Sequence, residues 1–158
     1  MSQTLALRLA VAADVAAIRA LTRAAYAKWV LLIGREPKPM TADYEEAVRN
    51  HRFDLLYADG ELAALIETIG EPDHLLIENL AVAPVFQGRG FGRVLMAHVE
   101  QLALASGLPE TRLYTNKLFA ENLRFYTRLG YRVDREEAFN GGIVVHMSKP
   151  VESLAGGG

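Results

Sequence analysis

Leu5, Leu7 and Leu9 alternate with polar or small residues, the period-two pattern of a half-buried strand. Asp14 then stands in the position of an N-cap. Val15, Ile18, Leu21 and Ala25 recur at three- and four-residue spacing, which predicts an amphipathic helix. Gly34, Pro37 and Pro39 break that pattern, and Thr41 is placed to cap a second short helix reaching about Asn50. Residues 53–58 and 61–69 read as strands joined by Asp59-Gly60, a strong hairpin signal. Residues 70–73 turn again, and 74–82 form a third, very apolar strand. Beyond Pro84 and a run of glycines, Leu95, Val99, Leu102 and Ala103 mark the buried face of a helix that Gly107 and Pro109 end. Residues 112–115 predict a short strand, 119–129 a helix closed by Gly130, and 131–134 a strand. Asn140-Gly141-Gly142 turns into a last strand over 143–149. The order βααβββαβαββ predicts an α/β chain: a mixed, mostly antiparallel sheet with helices on both faces.

Length places the 158 residues in one domain, taken as 1–150, followed by a small flexible tail over 151–158. Hydrophobic residues are 51% and charged ones 23%, which excludes a disordered chain. No apolar run approaches the roughly 18–20 residues of a membrane helix. Ala10-Val11-Ala12 imitates a signal-peptidase site, but Arg8 sits inside the apolar stretch, so the segment reads as mature structure. The formal net charge of −2 and a single Arg-Gly repeat make a poor nucleic-acid binder. There are no cysteines, so disulfides, thiolate zinc sites and cysteine nucleophiles are excluded; the same count fits a cytoplasmic protein. His51, His74, His98 and His146 are scattered without metal-ligand spacing, and no metal is expected.

Candidate chemistry concentrates in residues 77–93. A buried strand runs into a loop with Gly88, Gly90 and Gly92, and the loop opens a helix. Free N–H groups at a helix start and the helix macrodipole favour an anion there. Glycine lets the backbone approach closely, and Arg89 and Arg93 add charge-assisted bonds. The ligand is not that of a P-loop, because no Gly-Lys-Ser/Thr follows. Nor is it a dinucleotide fingerprint, because Arg93 stands where a third glycine belongs. On spacing alone, the loop serves either an anion or its own geometry.

Val82-x-Pro-x-x-Gln87-Gly-Arg-Gly-Phe-Gly92 resembles the acyl-CoA signature Gln/Arg-x-x-Gly-x-Gly/Ala of the GNAT N-acetyltransferase superfamily. Arg8-x-Ala10-x-x-x-Asp14-x-x-x-Ile18 is similar to the family's opening. Glu121-Asn122 with Phe125-Tyr126-x-x-Leu129-Gly130-Tyr131 looks like its late helix and strand. The resemblance spans nearly the whole chain and implies a GNAT-like fold that takes acetyl-CoA between two splayed parallel strands, here 74–82 and 112–115. It implies backbone bonds from Leu80, Ala81 and Val82 to the pantetheine arm. The pyrophosphate would fall to the amides of Gln87, Gly88, Arg89, Gly90, Phe91 and Gly92, with Arg93 beside them. Relatives often carry Asn where Phe119 stands and Ala where Asn122 stands, so Asn122 maps onto a Glu-Asn subgroup as a CoA contact. Asn116 is either a further pantetheine contact or a turn-forming Asn.

Acyl transfer to an amine needs a proton acceptor, a stabilised oxyanion and a protonated leaving thiolate. The resemblance implies Tyr126 as the proton donor, a phenol neutral at pH 7; its spacing equally fits packing beside Leu123 and Leu129. Glu78 is the candidate base, a carboxylate inside an apolar strand on the face of Leu76 and Leu80, where burial would raise its proton affinity. The other reading of Glu78 is a wet-face residue or an ion pair. The amide of Leu80 or Ala81 would polarise the thioester carbonyl. In this family the acceptor pocket forms from the first two helices, their connection and the last hairpin. Tyr26, Trp29, Met40 and Tyr44 lie in that region, as pocket lining or as core. The expectation is therefore an acetyl-CoA-dependent N-acetyltransferase of a small-molecule amine, as a homodimer. The alternatives are acetylation of a protein N-terminus or lysine, and a CoA-binding module without catalysis.

Overall fold

The N-terminal alternation folds as β1 (Leu5–Leu9), which pairs antiparallel with β2 (Arg52–Ala58) through Leu7↔Leu56. All five residues of β1, an edge strand, are exposed rather than half-buried. The computed structural model describes residues 3–151; most of the tail expected over 151–158 lies outside the described residues. A 3-10 turn at Ala12–Asp14 leads into α1 (Val15–Ile33). Asp14 precedes α1 but makes no side-chain cap bond to it. Its carboxylate instead accepts the Val11 N–H at 2.8 Å and bonds from the two terminal guanidinium nitrogens of Arg8 at 2.7 and 2.8 Å. This grip holds the Asp14 carboxyl below the usual carboxylate range.

Val15, Ile18, Leu21 and Ala25 are buried along α1, as their spacing predicts, together with Thr22 and Trp29. A one-turn helix, α2 (Lys38–Thr41), follows, with Pro39 in its first turn. The next helix, α3 (Tyr44–Asn50), is capped by Asp43 and not by Thr41. Asp43 Oδ1 accepts the Glu46 N–H, whereas the Thr41 hydroxyl donates back to the Lys38 carbonyl. The prolines nucleate a separate turn, so helix start moves two residues on.

β2 turns into β3 (Glu61–Gly70) through Asp59 and Gly60, at φ +49° and +84°. Positive φ at both central residues is the type I′ requirement that Asp-Gly meets. β4 (Leu75–Val82) buries Leu75, Ile77, Asn79 and Ala81 and leaves the alternate positions half-buried. A 3-10 turn at Pro84–Phe86 leads to the glycine loop and α4 (Phe91–Ala105). Then come β5 (Glu110–Asn116), α5 (Ala120–Arg128), β6 (Arg132–Phe139) and β7 (Gly142–Pro150). β6 is twice the expected length. Its eight residues are exposed, so no apolar alternation announces it; a bulge at Asp134 and backbone pairing to β7 define it.

The chain gathers into two compact units, one of residues up to Ile69 with Asn79–Ala97, the other of Gly70–Glu78 with residues from His98 on. In the first, β1, β2 and β3 form an antiparallel run, and the Ala83 N–H donates to the Ala63 carbonyl. Its core joins Val15, Ile18 and Leu21 of α1 to Tyr44, Leu55 and Leu65. In the second, β4 and β5 pair parallel, and β5, β7 and β6 continue antiparallel. The fold is thus mixed α/β, with seven strands among the described residues and one parallel pair in a mostly antiparallel arrangement. No helix of the described chain is long and apolar enough to cross a membrane.

Candidate active site

Two glycines shape the loop after β4. Gly88 and Gly90 adopt φ +78° and +84°, a region that costs an L-residue strain, and a Cβ on either would meet no protein atom within 4 Å. Their surroundings are open where a ligand would approach. The Val94 N–H bonds the Gly90 carbonyl at 3.1 Å as α4 begins. The amides ahead of it are the unpaired donors that every helix start presents. Phe86 and Phe91 are buried beneath the loop, their ring centroids 5.8 Å apart, and the exposed Arg89 lies over Phe86 at 5.4 Å.

Gln87 is not part of this open cradle. Its amide bonds the Pro84 carbonyl at 3.3 Å, and its side chain donates to the Val82 carbonyl at 3.0 Å. Gln87 braces the loop across five residues, and the open amides start at Gly88. Gly92 and Arg93 lie in the first turn of α4, with Arg93 exposed. Ala81 is buried at the end of β4, between half-buried Leu80 and Val82.

Behind Leu80, sequence reading missed a polar node. Asn79 is 3% exposed, in the core-facing position between Ile77 and Ala81. Its Nδ2 lies 3.4 Å from both Thr22 Oγ1 and Tyr44 Oη, and its Oδ1 accepts the Tyr26 hydroxyl at 3.0 Å. That hydroxyl is also 3.3 Å from the Leu80 carbonyl. The signal was present: an amide in the buried register of an apolar strand must find partners.

Of the residues expected near the acceptor, only Tyr26 is half-buried. Tyr44 is 1% exposed, edge-on to Phe53 at 6.1 Å, with its hydroxyl on the Pro39 carbonyl at 2.6 Å. Trp29 and Met40 are buried too; the Lys28 ammonium covers the Trp29 ring, and Arg23 bonds the Met40 carbonyl. Those three are core in the described chain.

In the second unit, Glu78 is half-buried, and its Oε1 accepts the Tyr114 hydroxyl at 2.7 Å. Sequence spacing gave no sign of Tyr114. Tyr126 is 8% exposed on α5, against Phe125 and Tyr131 at 5.2 and 5.9 Å. Its hydroxyl makes no hydrogen bond among the described residues. Burial, then the Tyr131 phenol, pushes its pKa above the usual tyrosine value, so it carries its proton throughout the neutral range. Asn116 Oδ1 accepts the Leu118 N–H at 2.9 Å, the turn-forming role. Asn122 is half-buried in the first turn of α5. No group of three His, Asp or Glu among the described residues is arranged to hold a metal.

Residues 16–131 match the acetyltransferase (GNAT) family. The chain belongs to that family. It is 39% identical over 71 residues to N-alpha-acetyltransferase 80 of Mus musculus, covering 45% of this chain and 21% of that protein. It is 33% identical over 88 residues to streptothricin acetyltransferase of Streptomyces lavendulae, covering 54% of this chain and 47% of that one. The chain thus spans about a fifth and about half of these relatives. Among solved structures, a PaiA N-acetyltransferase from Thermoplasma acidophilum in complex with coenzyme A superposes with a TM-score of 0.78 at 16% identity, over 93% of this chain and 99% of that one. That likeness establishes the fold.

Proposed function

We propose that this chain is an acetyl-CoA-dependent N-acetyltransferase that acetylates a primary amine of a small molecule by direct attack. The observation that carries the proposal is the open glycine cradle, Gly88 and Gly90 at positive φ ahead of α4, in a member of this family. Acetyl-CoA would supply the thioester from which the acetyl group leaves. The amides from Gly88 to Gly92, with Arg89 and Arg93, would hold its pyrophosphate, and the backbone of Leu80, Ala81 and Val82 its pantetheine arm. Asn122 and the free amide end of Asn116 are further candidates for that arm. Glu78 would take the proton of the attacking amine, and an amide of Leu80 or Ala81 would steady the oxyanion. Tyr126 would protonate the departing thiolate; its hydroxyl makes no hydrogen bond among the described residues and so is open to one with the sulfur.

The streptothricin relative supports a small-molecule acceptor. The mouse relative favours a second reading, acetylation of a protein N-terminus. The reading further includes a catalytic domain over 1–150, a cytoplasmic location, no metal and a homodimer; light scattering at a mass near 17.4 kDa at high concentration would reject the dimer. The deciding experiment measures free-thiol release from acetyl-CoA with streptothricin, spermidine, lysine and a peptide with a free N-terminus. Turnover with a small amine upholds the proposal, and turnover with the peptide alone replaces it by the second reading. Binding of acetyl-CoA without turnover leaves a non-catalytic module.

A further inference from the structure

The parallel register of β4 and β5 consists of Leu75↔Thr111, Leu76↔Arg112 and Ile77↔Leu113. One residue further along each strand, the connection passes from backbone to side chains: the Tyr114 hydroxyl donates to Glu78 Oε1 at 2.7 Å. Tyr114 is itself held from its other side. On β7, His146 is its register partner, and the two rings lie 6.1 Å apart at 41°. His146 Nε2 is 3.0 Å from Glu137 Oε1 on β6. That bond is the main reason the Glu137 carboxyl sits below the usual carboxylate range. Glu78, Tyr114, His146 and Glu137 therefore form one row across four consecutive strands.

We infer that Tyr114 is a positioning residue for the reaction, fixing the Glu78 carboxylate as proton acceptor through a bond held in place by the His146 ring. The inference rests on the reading of Glu78 as the base. A glutamate has three rotatable bonds and loses much freedom when it must hold one geometry. A tyrosine wedged between neighbouring strands has few rotamers, and a 2.7 Å O–H···O⁻ bond transfers that order to the carboxylate. Donation from the phenol also requires Glu78 to stand as an acceptor. The amine proton then passes to Glu78, while the Tyr114 hydroxyl keeps its own as the donor of that bond. Sequence spacing gives no hint of this pair, because the residues lie 36 apart and meet only through the parallel register.

The test uses the full chain, acetyl-CoA, and whichever of streptothricin, spermidine and lysine the wild-type protein turns over fastest. Tyr114→Phe keeps the ring and removes the donor. We expect kcat to fall about 10–100-fold, the scale of a misplaced catalytic group, with the KM for acetyl-CoA and the melting temperature nearly unchanged. Glu78→Gln should cost about 10²–10⁴-fold, and adding Tyr114→Phe to it should cost nothing more. An unchanged kcat for Tyr114→Phe beside an inactive Glu78→Gln overturns the inference and leaves Glu78 as base. A Tyr114→Phe loss that persists undiminished in the Glu78→Gln background also overturns it, because the tyrosine then acts on the fold. A fully active Glu78→Gln, or wild type that turns over none of these amines and not the N-terminal peptide either, removes the reading beneath it; turnover of the peptide alone makes the peptide the acceptor in the same comparison.

Discussion

Gly90→Ala tests the cradle, because it separates the cost to the fold from the cost to the ligand. Gly90 sits at φ +84°, and its added Cβ would meet no protein atom within 4 Å. The fold therefore loses only backbone strain, about 1–2 kcal/mol for an L-residue in the left-handed region. In a chain of this size that lowers the melting temperature by about 2–8 °C. The ligand loses more. A methyl group in the mouth of the loop keeps a pyrophosphate from the amides, and two lost charge-assisted bonds at about 1.5–3 kcal/mol each come to about 3–6 kcal/mol. That is about 10²–10⁴-fold in Kd. At a CoA concentration 100 times the wild-type Kd, ligand stabilises the wild-type protein by about 2.7 kcal/mol, or roughly 5–11 °C. With Kd raised 100-fold, the same concentration gives about 0.4 kcal/mol and a shift under about 2 °C. Gly107→Ala is the control. Gly107 has φ +72° and equally empty surroundings at the end of α4. It should lose the same stability and keep the whole ligand shift. Differential scanning calorimetry of the three proteins with and without CoA reads both quantities. A Gly90→Ala protein that keeps the wild-type shift would refute the reasoning, since the loop would then be a turn and not a binding site.

Removing the Tyr126 hydroxyl in Tyr126→Phe should leave the melting temperature and acetyl-CoA affinity close to wild type, because that group makes no hydrogen bond in the described chain, while single-turnover rate falls about 10²–10⁴-fold; unchanged chemistry at saturating substrates would sink the role. Asn79→Ala removes the side-chain acceptor of the Tyr26 hydroxyl and the amide beside the Thr22 and Tyr44 hydroxyls, and should cost about 1–3 kcal/mol, or roughly 2–12 °C by thermal melt; a loss below 1 °C would contradict the node. Burial pushes the Tyr131 phenol up to about 12 and lifts Tyr126 as well. The folded chain therefore holds protons that the unfolded chain releases near pH 10. Stability is full below about pH 10 and falls as pH rises towards 12, by up to about 1.4 kcal/mol per pH unit per tyrosine. Urea unfolding at stepped pH should show this fall, and Tyr131→Phe should flatten it; an identical slope would remove burial as its cause.

What could be read from the sequence sorts by the range over which each feature acts. The period of α1, the Asp59-Gly60 hairpin and the glycine loop are each set by a few adjacent residues, and each folds as their chemistry dictates. Where two local signals compete, the sequence is harder to read. Thr41 and Asp43 both suit an N-cap, and Pro39 settles the matter by nucleating its own turn, which leaves the role to Asp43. β6 shows the opposite case. An edge strand with no buried face needs no hydrophobic pattern, so only its pairing with β7 reveals that it continues to Phe139.

The same division runs through the site and explains why its two halves differ in legibility. A loop that acts through main-chain amides shows itself by its glycines, although their spacing alone fits an anion site and a plain turn equally. Proton transfer works with side chains whose partners come from other strands. Glu78 was visible as a misplaced charge, but the residue that holds it was not. Tyr114 becomes its neighbour only once β4 and β5 align Ile77 with Leu113. The acceptor region is ambiguous for the converse reason. Counted along the chain, Tyr44 and Trp29 suit pocket lining or core, and the structure buries both. An aromatic side chain satisfies a helix–sheet interface and a ligand pocket by the same apolar surface, so only its exposure distinguishes them. Tyr26 keeps part of its surface and points its hydroxyl at the Asn79 and Leu80 end of β4. It is the aromatic in that region whose substitution should alter acceptor KM before it alters stability.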